Sequence, residues 1–270
     1  MSDDRFAALE ARLAELERQN QALRGYIVPA LFDVLDRHYA RLGPAGEPRC
    51  LACDASGPDA MFPKRVDQCV FGGGRLERLE CPSCGCVFGP MKYLETPGPV
   101  VDADYRLLYT TYTEGDSTEA ELRAFHALQP RRDGLYLNWG SGAWSASVER
   151  LRAEGYDVWG YEPHAQIDSP YVVKSRGEVS ARFDGVFSNN VIEHLFDPAA
   201  QFRDFATILK PGGRMAHASP CYAYEFAFTR FHVFFPLGDS PARLAERTGF
   251  RLVGAEDDGT YRVRVFEADA

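Results

Sequence analysis

One stretch of the chain constrains the fold more than any other, because it combines a strand-like run, a glycine turn, a helix-like run and a second strand-like run. It reads Gly134-Leu-Tyr-Leu-Asn-Trp-Gly-Ser-Gly-Ala-Trp-Ser145 and later Asp157-Val-Trp-Gly-Tyr-Glu-Pro163. Gly140 and Gly142 let the backbone turn sharply and approach a ligand closely. Glu162 follows about 20 residues later, where a carboxylate can accept hydrogen bonds from two ribose hydroxyls. This order predicts a nucleotide-cofactor site in an α/β fold.

The glycine spacing narrows the choice of cofactor. A dinucleotide-binding loop follows the pattern Gly-x-Gly-x-x-Gly, and Ser145 occupies the last of these positions. The pattern therefore disfavours NAD. Taken alone, the loop is also compatible with an ordinary turn between a strand and a helix.

Two downstream segments make the interpretation more specific. They are Phe183-Asp-Gly-Val-Phe-Ser-Asn-Asn-Val-Ile-Glu-His-Leu-Phe-Asp-Pro198 and Leu209-Lys-Pro-Gly-Gly213. With the glycine loop and Glu162, they resemble the class I S-adenosylmethionine-dependent methyltransferases of the Glu-His-Leu-x-Asp-Pro type. The resemblance covers about Thr118 to the C-terminus. It implies S-adenosylmethionine as cofactor and a Rossmann-like, seven-stranded mixed sheet with helices on both faces.

The chain departs from this family pattern at Asn138, where the family usually has Asp near the amino-acid portion of the cofactor. An amide can still form hydrogen bonds, but it lacks the negative charge that favours the sulfonium and ammonium groups. The resemblance implies that the following residues bind the cofactor: Asn138, Gly140, Ser141, Gly142, Glu162, Asn189 and Asn190.

Residues that follow the fourth strand of this fold face the methyl-transfer region, which makes His194 the first candidate for a general base. In the alternative interpretation, Glu193 and His194 only shape the cofactor pocket. His232 is the second candidate, because its aromatic neighbours could lower its pKa and keep it neutral; it could equally be a hydrogen-bonded core residue. Residues predicted to contact the acceptor are Glu193, Tyr222 and Tyr224.

The segment before the glycine loop is rich in aromatic residues and forms a predicted linker over 95–117. The lead-in of many methyltransferases folds over the cofactor, so Tyr109, Tyr112 and Ser117 are candidate lid residues, with Tyr109 and Ser117 predicted to touch the cofactor. Simple packing is the alternative role. Thr118-x-x-Glu121 predicts a capping box that opens the catalytic domain, residues 118–270.

Residues 1–42 predict a long helix with a coiled-coil repeat. Apolar residues step alternately by three and four along this segment: Phe6, Leu9, Leu13, Leu16, Leu23, Ile27 and Ala30, with Asn20 at one a position. Such a stripe pairs with another chain or folds back on its own domain. A single Asn at an a position can fix register and oligomer state, so we expect a homo-oligomer built through this helix.

Residues 49–94 contain two Cys-x-x-Cys pairs, which are Cys50 with Cys53 and Cys81 with Cys84. Two such pairs suit a tetrahedral structural zinc ion, which predicts a small zinc-ribbon-like module. Cys69 or Cys86 could replace one of the four ligands if a turn is shifted, although both suit a buried apolar position.

Composition limits the partners. The chain has 270 residues with 30 Lys or Arg, 39 Asp or Glu, and a formal net charge of -9, so nucleic acid is a poor candidate for the substrate. No apolar run approaches the roughly 18 residues of a membrane span, and the N-terminus is acidic, so a cytoplasmic location is expected.

The identity of the acceptor is the remaining question. A zinc module ahead of this domain resembles the arrangement in deoxysugar C-methyltransferases, which favours a sugar, nucleotide-sugar or glycan precursor. It also resembles one group of ribosomal RNA methyltransferases, in which case a basic face on 49–94 is expected. The third alternative is a non-catalytic, cofactor-binding scaffold protein.

Overall fold

The computed structural model describes residues 2–109, 112 and 115–269, with the side chains of 2–4 and 109 left out. The helices are α1 (Ser2–Leu42), α2 (Met91–Leu94), α3 (Gly98–Tyr109), α4 (Thr118–Ala127), α5 (Ala146–Ala153), α6 (Pro198–Ile208) and α7 (Ser240–Thr248). The strands are β1 (Lys64–Gln68), β2 (Arg75–Glu80), β3 (Val87–Phe88), β4 (Leu135–Trp139), β5 (Asp157–Tyr161), β6 (Val172–Val173), β7 (Phe183–Asn189), β8 (Leu209–Ala218), β9 (Phe234–Phe235), β10 (Phe250–Asp257) and β11 (Arg262–Ala268).

The C-terminal part of the chain forms a seven-stranded sheet with the strand order β10-β11-β8-β7-β4-β5-β6. Five neighbouring strands, β8, β7, β4, β5 and β6, are parallel to one another. Strand β11 pairs antiparallel with both β8 and β10. Alternating strands and helices produce the parallel part, and the tight turn after β10 produces the antiparallel end. The predicted mixed seven-stranded sheet is therefore confirmed.

Helices cover both faces of this sheet, because consecutive strand residues point to opposite sides. Tyr136 and Phe187 belong to one buried cluster with Leu122, Phe125 and Leu151 of α4 and α5. The neighbouring strand residues Leu137 and Val186 belong to another cluster, which includes residues of α6 and α7: Phe202, Phe205, Leu244 and Ala245. Both faces are thus buried, as a parallel sheet requires.

A second, four-stranded sheet has the order β1-β2-β3-β9. Its first three strands come from the predicted zinc module, but β9 lies after β8 in the chain and pairs antiparallel with β3. The Cys-rich segment and the segment that follows β8 therefore share one sheet. This shared sheet brings residues 64–88 next to residues 220–237.

The N-terminal helix α1 runs from Ser2 to Leu42 without interruption at Pro29. Val28 and Phe32 on its C-terminal half are buried in a cluster with Tyr93 of α2 and Val101 of α3. Its N-terminal half is exposed along the apolar stripe. Among the residues that the structure describes, no helix is long and apolar enough to cross a membrane.

Candidate functional site

The glycine loop lies at the carboxyl edge of the seven-stranded sheet, between the ends of β4 and β5. The backbone N–H groups of Gly140 and Ser141 donate to the Tyr161 carbonyl at 2.8 and 3.2 Å, which anchors the loop to β5. Gly140 has φ +76°, and a Cβ there would stand 2.6 Å from a methyl carbon of Val191. Gly142 has φ +72° and faces open space. Glycine is therefore required at 140 for close packing against the segment after β7.

Ser145 takes the place of the third glycine without abolishing the loop geometry. It adopts a left-handed backbone with φ +49°, a conformation that non-glycine residues seldom adopt. The hydroxyls of Ser141 and Ser145 are 2.7 Å apart and hydrogen-bonded. The helix α5 then begins at Ala146. This local network holds Ser145 in a conformation that the sequence pattern normally assigns to glycine.

The side chain of Asn138 lies at the centre of a buried polar network. Its amide nitrogen donates to a Glu121 carboxylate oxygen at 2.7 Å and to the Ser147 hydroxyl at 2.9 Å. The hydroxyls of Ser117 and Ser147 also donate to Glu121. The amide oxygen of Asn138 is buried, and no described residue forms a hydrogen bond with it. The Glu121 carboxylate thus lies next to the Asn138 amide nitrogen, and the Asn138 amide oxygen can accept a hydrogen bond from a ligand.

The predicted capping box at Thr118 is wrong. Helix α4 has Ser117 as its N-cap residue and forms no side-chain capping hydrogen bond. Glu121 turns into the interior, where it is only 5% exposed, and burial raises the pKa of its carboxyl group. Its three donors replace water around the carboxylate, which is why a buried charge can be accommodated there.

The other predicted cofactor residues lie at the same sheet edge. Glu162 directly follows β5, and its carboxylate accepts from the His164 backbone N–H at 2.9 Å. Asn189 ends β7, and Asn190 has a left-handed backbone with φ +55° while its N–H donates to the Ala218 carbonyl. Because β4, β5 and β7 are adjacent and parallel, their ends place these residues around the glycine loop.

His194 lies in a short 3-10 turn, Ile192–His194, just after Val191, the residue that packs against Gly140. Its Nδ1 is 2.7 Å from the Tyr105 hydroxyl and 2.9 Å from the Phe231 carbonyl oxygen. A carbonyl only accepts, so this contact assigns the proton to Nδ1 and leaves Nε2 as the basic nitrogen. The structure therefore places His194 beside α3, a contact that the sequence analysis did not anticipate.

His232 packs against His194 with ring centroids 4.8 Å apart. Its Nδ1 lies 3.1 Å from the Phe226 carbonyl oxygen and 3.4 Å from the Cys221 sulfur. Burial, with repulsion from Arg78 and from His194 when His194 is protonated, lowers the pKa of His232 to about 3. A neutral ring is therefore expected at neutral pH, and its low basicity makes it a weaker candidate for a general base.

The structure separates the three predicted acceptor residues. Glu193 is fully buried, and potential ligand atoms of Glu193, His194 and His232 lie within 4.8 Å of one another. Tyr222 is buried, with Arg264 over its ring, and burial raises the pKa of its hydroxyl. Tyr224 turns to the four-stranded sheet, where its hydroxyl donates to Asp67 at 2.7 Å. Of the three, only Glu193 joins the histidine pair.

Two buried arginines hold the segment that carries His232. Arg78 of β2 donates to the backbone carbonyls of Ala227, Thr229 and His232. Arg230 forms a two-pronged ion pair with Asp104 of α3, with distances of 2.7 and 2.6 Å. Asp104 precedes Tyr105 and Arg230 precedes Phe231, so this ion pair fixes the two residues that contact His194.

The four cysteines of the two Cys-x-x-Cys pairs come together. Sulfur atoms of Cys50 and Cys84, and of Cys53 and Cys81, are 3.6 Å apart. Four sulfurs bound tetrahedrally about 2.3 Å from one zinc ion would be separated by about 3.8 Å, so the arrangement fits this ion. Cys86 lies outside the group, and the Cys69 sulfur lies 3.6 Å from an Arg230 nitrogen.

The candidate lid is only partly described. Ser117 bonds to Glu121 and so touches the polar network around Asn138. Tyr112 is 43% exposed and packs edge-on against Phe71, 5.7 Å between centroids. The side chain of Tyr109 lies outside the described residues. Tyr105, which lies in the same predicted linker, contacts His194. The sequence marked Tyr105 only as a member of an aromatic run.

Comparisons with known proteins agree with this architecture. Residues 122–254 match a family described as a methyltransferase domain. A comparison with curated proteins finds no match.

Solved structures that resemble the chain share little sequence with it. One is an S-adenosylmethionine-dependent methyltransferase from Mesorhizobium loti, which is 16% identical. The match covers 55% of this chain and 97% of that chain, with a TM-score of 0.42. Another is the 1,6-didemethyltoxoflavin-N1-methyltransferase of Burkholderia thailandensis, which is 16% identical. The match covers 73% of this chain and 96% of that chain, with a TM-score of 0.48. A third is the CcbJ methyltransferase of Streptomyces caelestis, which is 16% identical. The match covers 60% of this chain and 95% of that chain, with a TM-score of 0.43. These similarities are too weak to carry an argument about the acceptor.

The family match runs from α4 to the middle of β10, and so includes the glycine loop, Asn138 with its partner Ser147, and the turn that carries His194. The strand order and the edge on which these residues lie are those of a nucleotide-cofactor site. The match identifies residues 122–254 as a methyltransferase domain, which together with the fold indicates an S-adenosylmethionine-dependent methyltransferase.

Proposed function

We propose that this enzyme methylates a small molecule of the sugar, nucleotide-sugar or glycan-precursor class, with His194 as the general base. The observation that carries the proposal is the contact between the two sides of the site. Val191 packs on Gly140 of the cofactor loop, and His194 follows three residues later beside Tyr105 and His232. A basic nitrogen thus lies close to the place where the methyl group would be held.

The residues at the sheet edge fit S-adenosylmethionine. The unpartnered amide oxygen of Asn138 can accept from the ammonium group, and the carboxylate of Glu162 can accept from the ribose hydroxyls. The open space beside Gly142 leaves room for the ligand. When bound, this cofactor supplies a methyl group already activated by its sulfonium. The protein then has to align the acceptor and remove its proton.

His194 is suited to proton removal by its hydrogen bonds. The Phe231 carbonyl keeps the ring proton on Nδ1, so Nε2 takes the proton from an acceptor hydroxyl or carbon acid. The Tyr105 hydroxyl lies 2.7 Å from the same Nδ1 and helps to hold the ring. The carboxylate of buried Glu193, which lies near both histidines, favours the positively charged imidazolium that forms.

Charge pairing in residues 49–94 argues against RNA as the acceptor. An RNA-binding module needs a surplus of exposed cations. Here every Lys and Arg of the segment forms an ion pair with a carboxylate: Arg49 with Asp54, Lys64 with Asp59 and Glu77, Arg65 with Glu80, Arg75 with Glu77, Arg78 with Asp67, and Lys92 with Asp36. The basic face expected for the RNA alternative is therefore missing from this described segment.

A structural zinc ion at Cys50, Cys53, Cys81 and Cys84 is part of the same proposal. The two cysteine turns flank the four-stranded sheet, and the Ala52 carbonyl in the first turn accepts from Arg247 of α7 at 2.7 Å. An ion there would fix this sheet against the catalytic domain. Since β9 and Arg78 of the sheet hold residues 227–235, the metal would indirectly hold His232.

The test starts with titration calorimetry of the purified protein with S-adenosylmethionine and with NAD. Binding of the former alone is expected, followed by release of S-adenosylhomocysteine with a member of a panel of nucleotide sugars. His194→Gln should lower kcat by about 100-fold or more with an unchanged Kd for S-adenosylmethionine. His164→Gln, on the cofactor side, is the matched control.

Three outcomes would contradict the proposal. Turnover on an RNA panel but not on small molecules would favour the RNA alternative. Cofactor binding without turnover on any acceptor would favour the scaffold alternative. Full activity of His194→Gln would remove His194 as the base while leaving the enzyme class intact.

A further inference from the structure

Helix α1 presents an apolar stripe from Phe6 to Val34 that the rest of the described chain leaves uncovered. We call this stripe the α1 seam. It comprises a positions Phe6, Leu13, Asn20, Ile27 and Val34, and d positions Leu9, Leu16, Leu23 and Ala30. Phe6 is 68% exposed, Leu13 58% and Leu23 59%. Four heptads of exposed apolar side chains are enough for a coiled coil and costly to leave in water.

The helix contacts its own domain through a different face. Val28 and Leu35 occupy b positions of the same repeat, and Phe32 occupies an f position; all three pack in one cluster with α2 and α3. The b and f positions lie on the side of a helix opposite the a and d positions. Packing within the chain therefore anchors α1 and leaves the seam open.

In the first two heptads, the residues that flank the seam carry opposite charges on its two sides. The first two g positions of the repeat are Arg5 and Arg12, and the first two e positions are Glu10 and Glu17. All four side chains are exposed, and none forms an ion pair with another residue of the described chain. Their charges are therefore available to a partner.

We propose that the α1 seam pairs with the seam of a second copy of this chain as a parallel, in-register, two-stranded coiled coil. In a parallel pair, each g residue faces the e residue of the next heptad in the partner. Arg5 then faces Glu10 of the partner subunit, and Arg12 faces Glu17 of the partner subunit. An antiparallel pair sets g against g, where the repeat offers Arg5, Arg12, Gln19 and Tyr26 but no acid.

The seam residues also select two strands and one register. Leu occupies the first three d positions, and the last two a positions, Ile27 and Val34, are β-branched, a combination that favours dimers. Asn20 is the single polar a residue, so the two copies of Asn20 meet and hydrogen-bond only when the helices are in register. The dimer would hold two catalytic domains at the same end of the coiled coil.

Light scattering of the full-length protein tests the proposal, and twice the mass of the chain is expected. The double variants Arg5→Glu with Arg12→Glu, and Glu10→Arg with Glu17→Arg, place like charges across the interface. Each should raise the dimer dissociation constant about tenfold or more at low salt. An equimolar mixture of the two variants should recover a mixed dimer, because the opposite charges face each other again.

Arg18→Glu changes the same charge at an f position and should leave the dissociation constant within about twofold, which makes it the matched control. Recovery in the mixture also excludes a variant that simply fails to fold. A monomeric wild-type protein would overturn the proposal. So would charge variants that dimerise like the wild type and show no preference for each other in the mixture.

Discussion

The proposed cofactor side and the proposed acceptor side of the site are built in different ways. The cofactor side consists of Gly140, Glu162 and their neighbours, which directly follow adjacent parallel strands of one sheet. The acceptor side joins α3, the turn after β7 and the segment after β8, and the four-stranded sheet holds it in place. The first depends on local strand ends, whereas the second depends on contacts between distant segments. Disruption of the acceptor side should therefore leave cofactor binding intact.

The largest expected effect comes from the proposed zinc site at the four cysteines. Structural zinc sites have apparent binding free energies of about 10–16 kcal/mol. Cys81→Ser should therefore release the metal, unfold the four-stranded sheet and abolish methyl transfer, while S-adenosylmethionine still binds. Metal analysis, thermal unfolding and calorimetry measure the three effects.

Cys69→Ser is the control for this prediction, because the Cys69 sulfur contacts Arg230 and lies outside the group of four. It should retain the full metal content. Loss of cofactor binding along with the metal in Cys81→Ser would show that the two sides do not fold independently.

The next largest effect is expected at the buried ion pair between Asp104 and Arg230, which are 4% and 2% exposed. Asp104→Asn leaves a buried guanidinium without its charge partner, a change that costs about 3–5 kcal/mol. The free energy of unfolding should fall by about that amount, and kcat should fall because Tyr105 and Phe231 lose their fixed position. The nearby exposed Asp102→Asn should change neither quantity. An unchanged kcat in Asp104→Asn would mean that the pair has no positioning role.

The sequence predicted most of the cofactor side because its signals are local. The strand-like run before the glycine turn and the helix-like run after it appear as β4 and α5, and Gly140 and Gly142 in the turn have left-handed backbones. Periodicity and glycine placement are properties of neighbouring residues, so they are visible without a structure. Glu121 is the one residue on this side that the sequence misplaced. The spacing Thr118-x-x-Glu121 is typical of a capping box, but a buried carboxylate can occupy the same position.

The acceptor side could be predicted only in part. His194 and His232 stand out as single residues, but nothing in the sequence connects them to Tyr105, which lies 89 positions before His194. The shared sheet is equally hidden, since β9 consists of only Phe234 and Phe235 inside an aromatic run. Short strands and ion pairs such as Asp104 with Arg230 depend on tertiary contacts, which local patterns do not encode.

A smaller effect, confined to the cofactor side, is expected at Glu162. Charge-assisted hydrogen bonds contribute about 1.5–3 kcal/mol each, so Glu162→Ala should weaken S-adenosylmethionine binding by about 100-fold. Thermal stability and metal content should stay unchanged. Glu149→Ala, an exposed acid on α5, is the control. Equal affinities of the wild type and Glu162→Ala in calorimetry would remove Glu162 from the ribose site.

The smallest expected effect concerns Glu121, whose carboxylate lies behind the amide of Asn138. The family pattern has an acid at the position of Asn138, and Glu121 provides a negative charge one hydrogen bond away. Glu121→Gln should therefore weaken binding of S-adenosylmethionine by about tenfold, since a buried charge is removed from the vicinity of two cationic groups. Binding of 5′-methylthioadenosine, which lacks both the ammonium and the sulfonium, should not change.

Two further results would decide whether the charge itself matters. Adding Asn138→Asp to Glu121→Gln moves the carboxylate to position 138, the hydrogen-bonded neighbour of position 121, and should recover most of the affinity. Glu119→Gln, on the exposed side of α4, should have no effect. Burial raises the pKa of Glu121, so its charge is lost at a higher pH than that of an exposed Glu as the solution is acidified. The affinity of the wild type should consequently fall with decreasing pH more steeply than that of Glu121→Gln. Parallel pH profiles for the two proteins would show that the carboxylate only supports the fold of the loop.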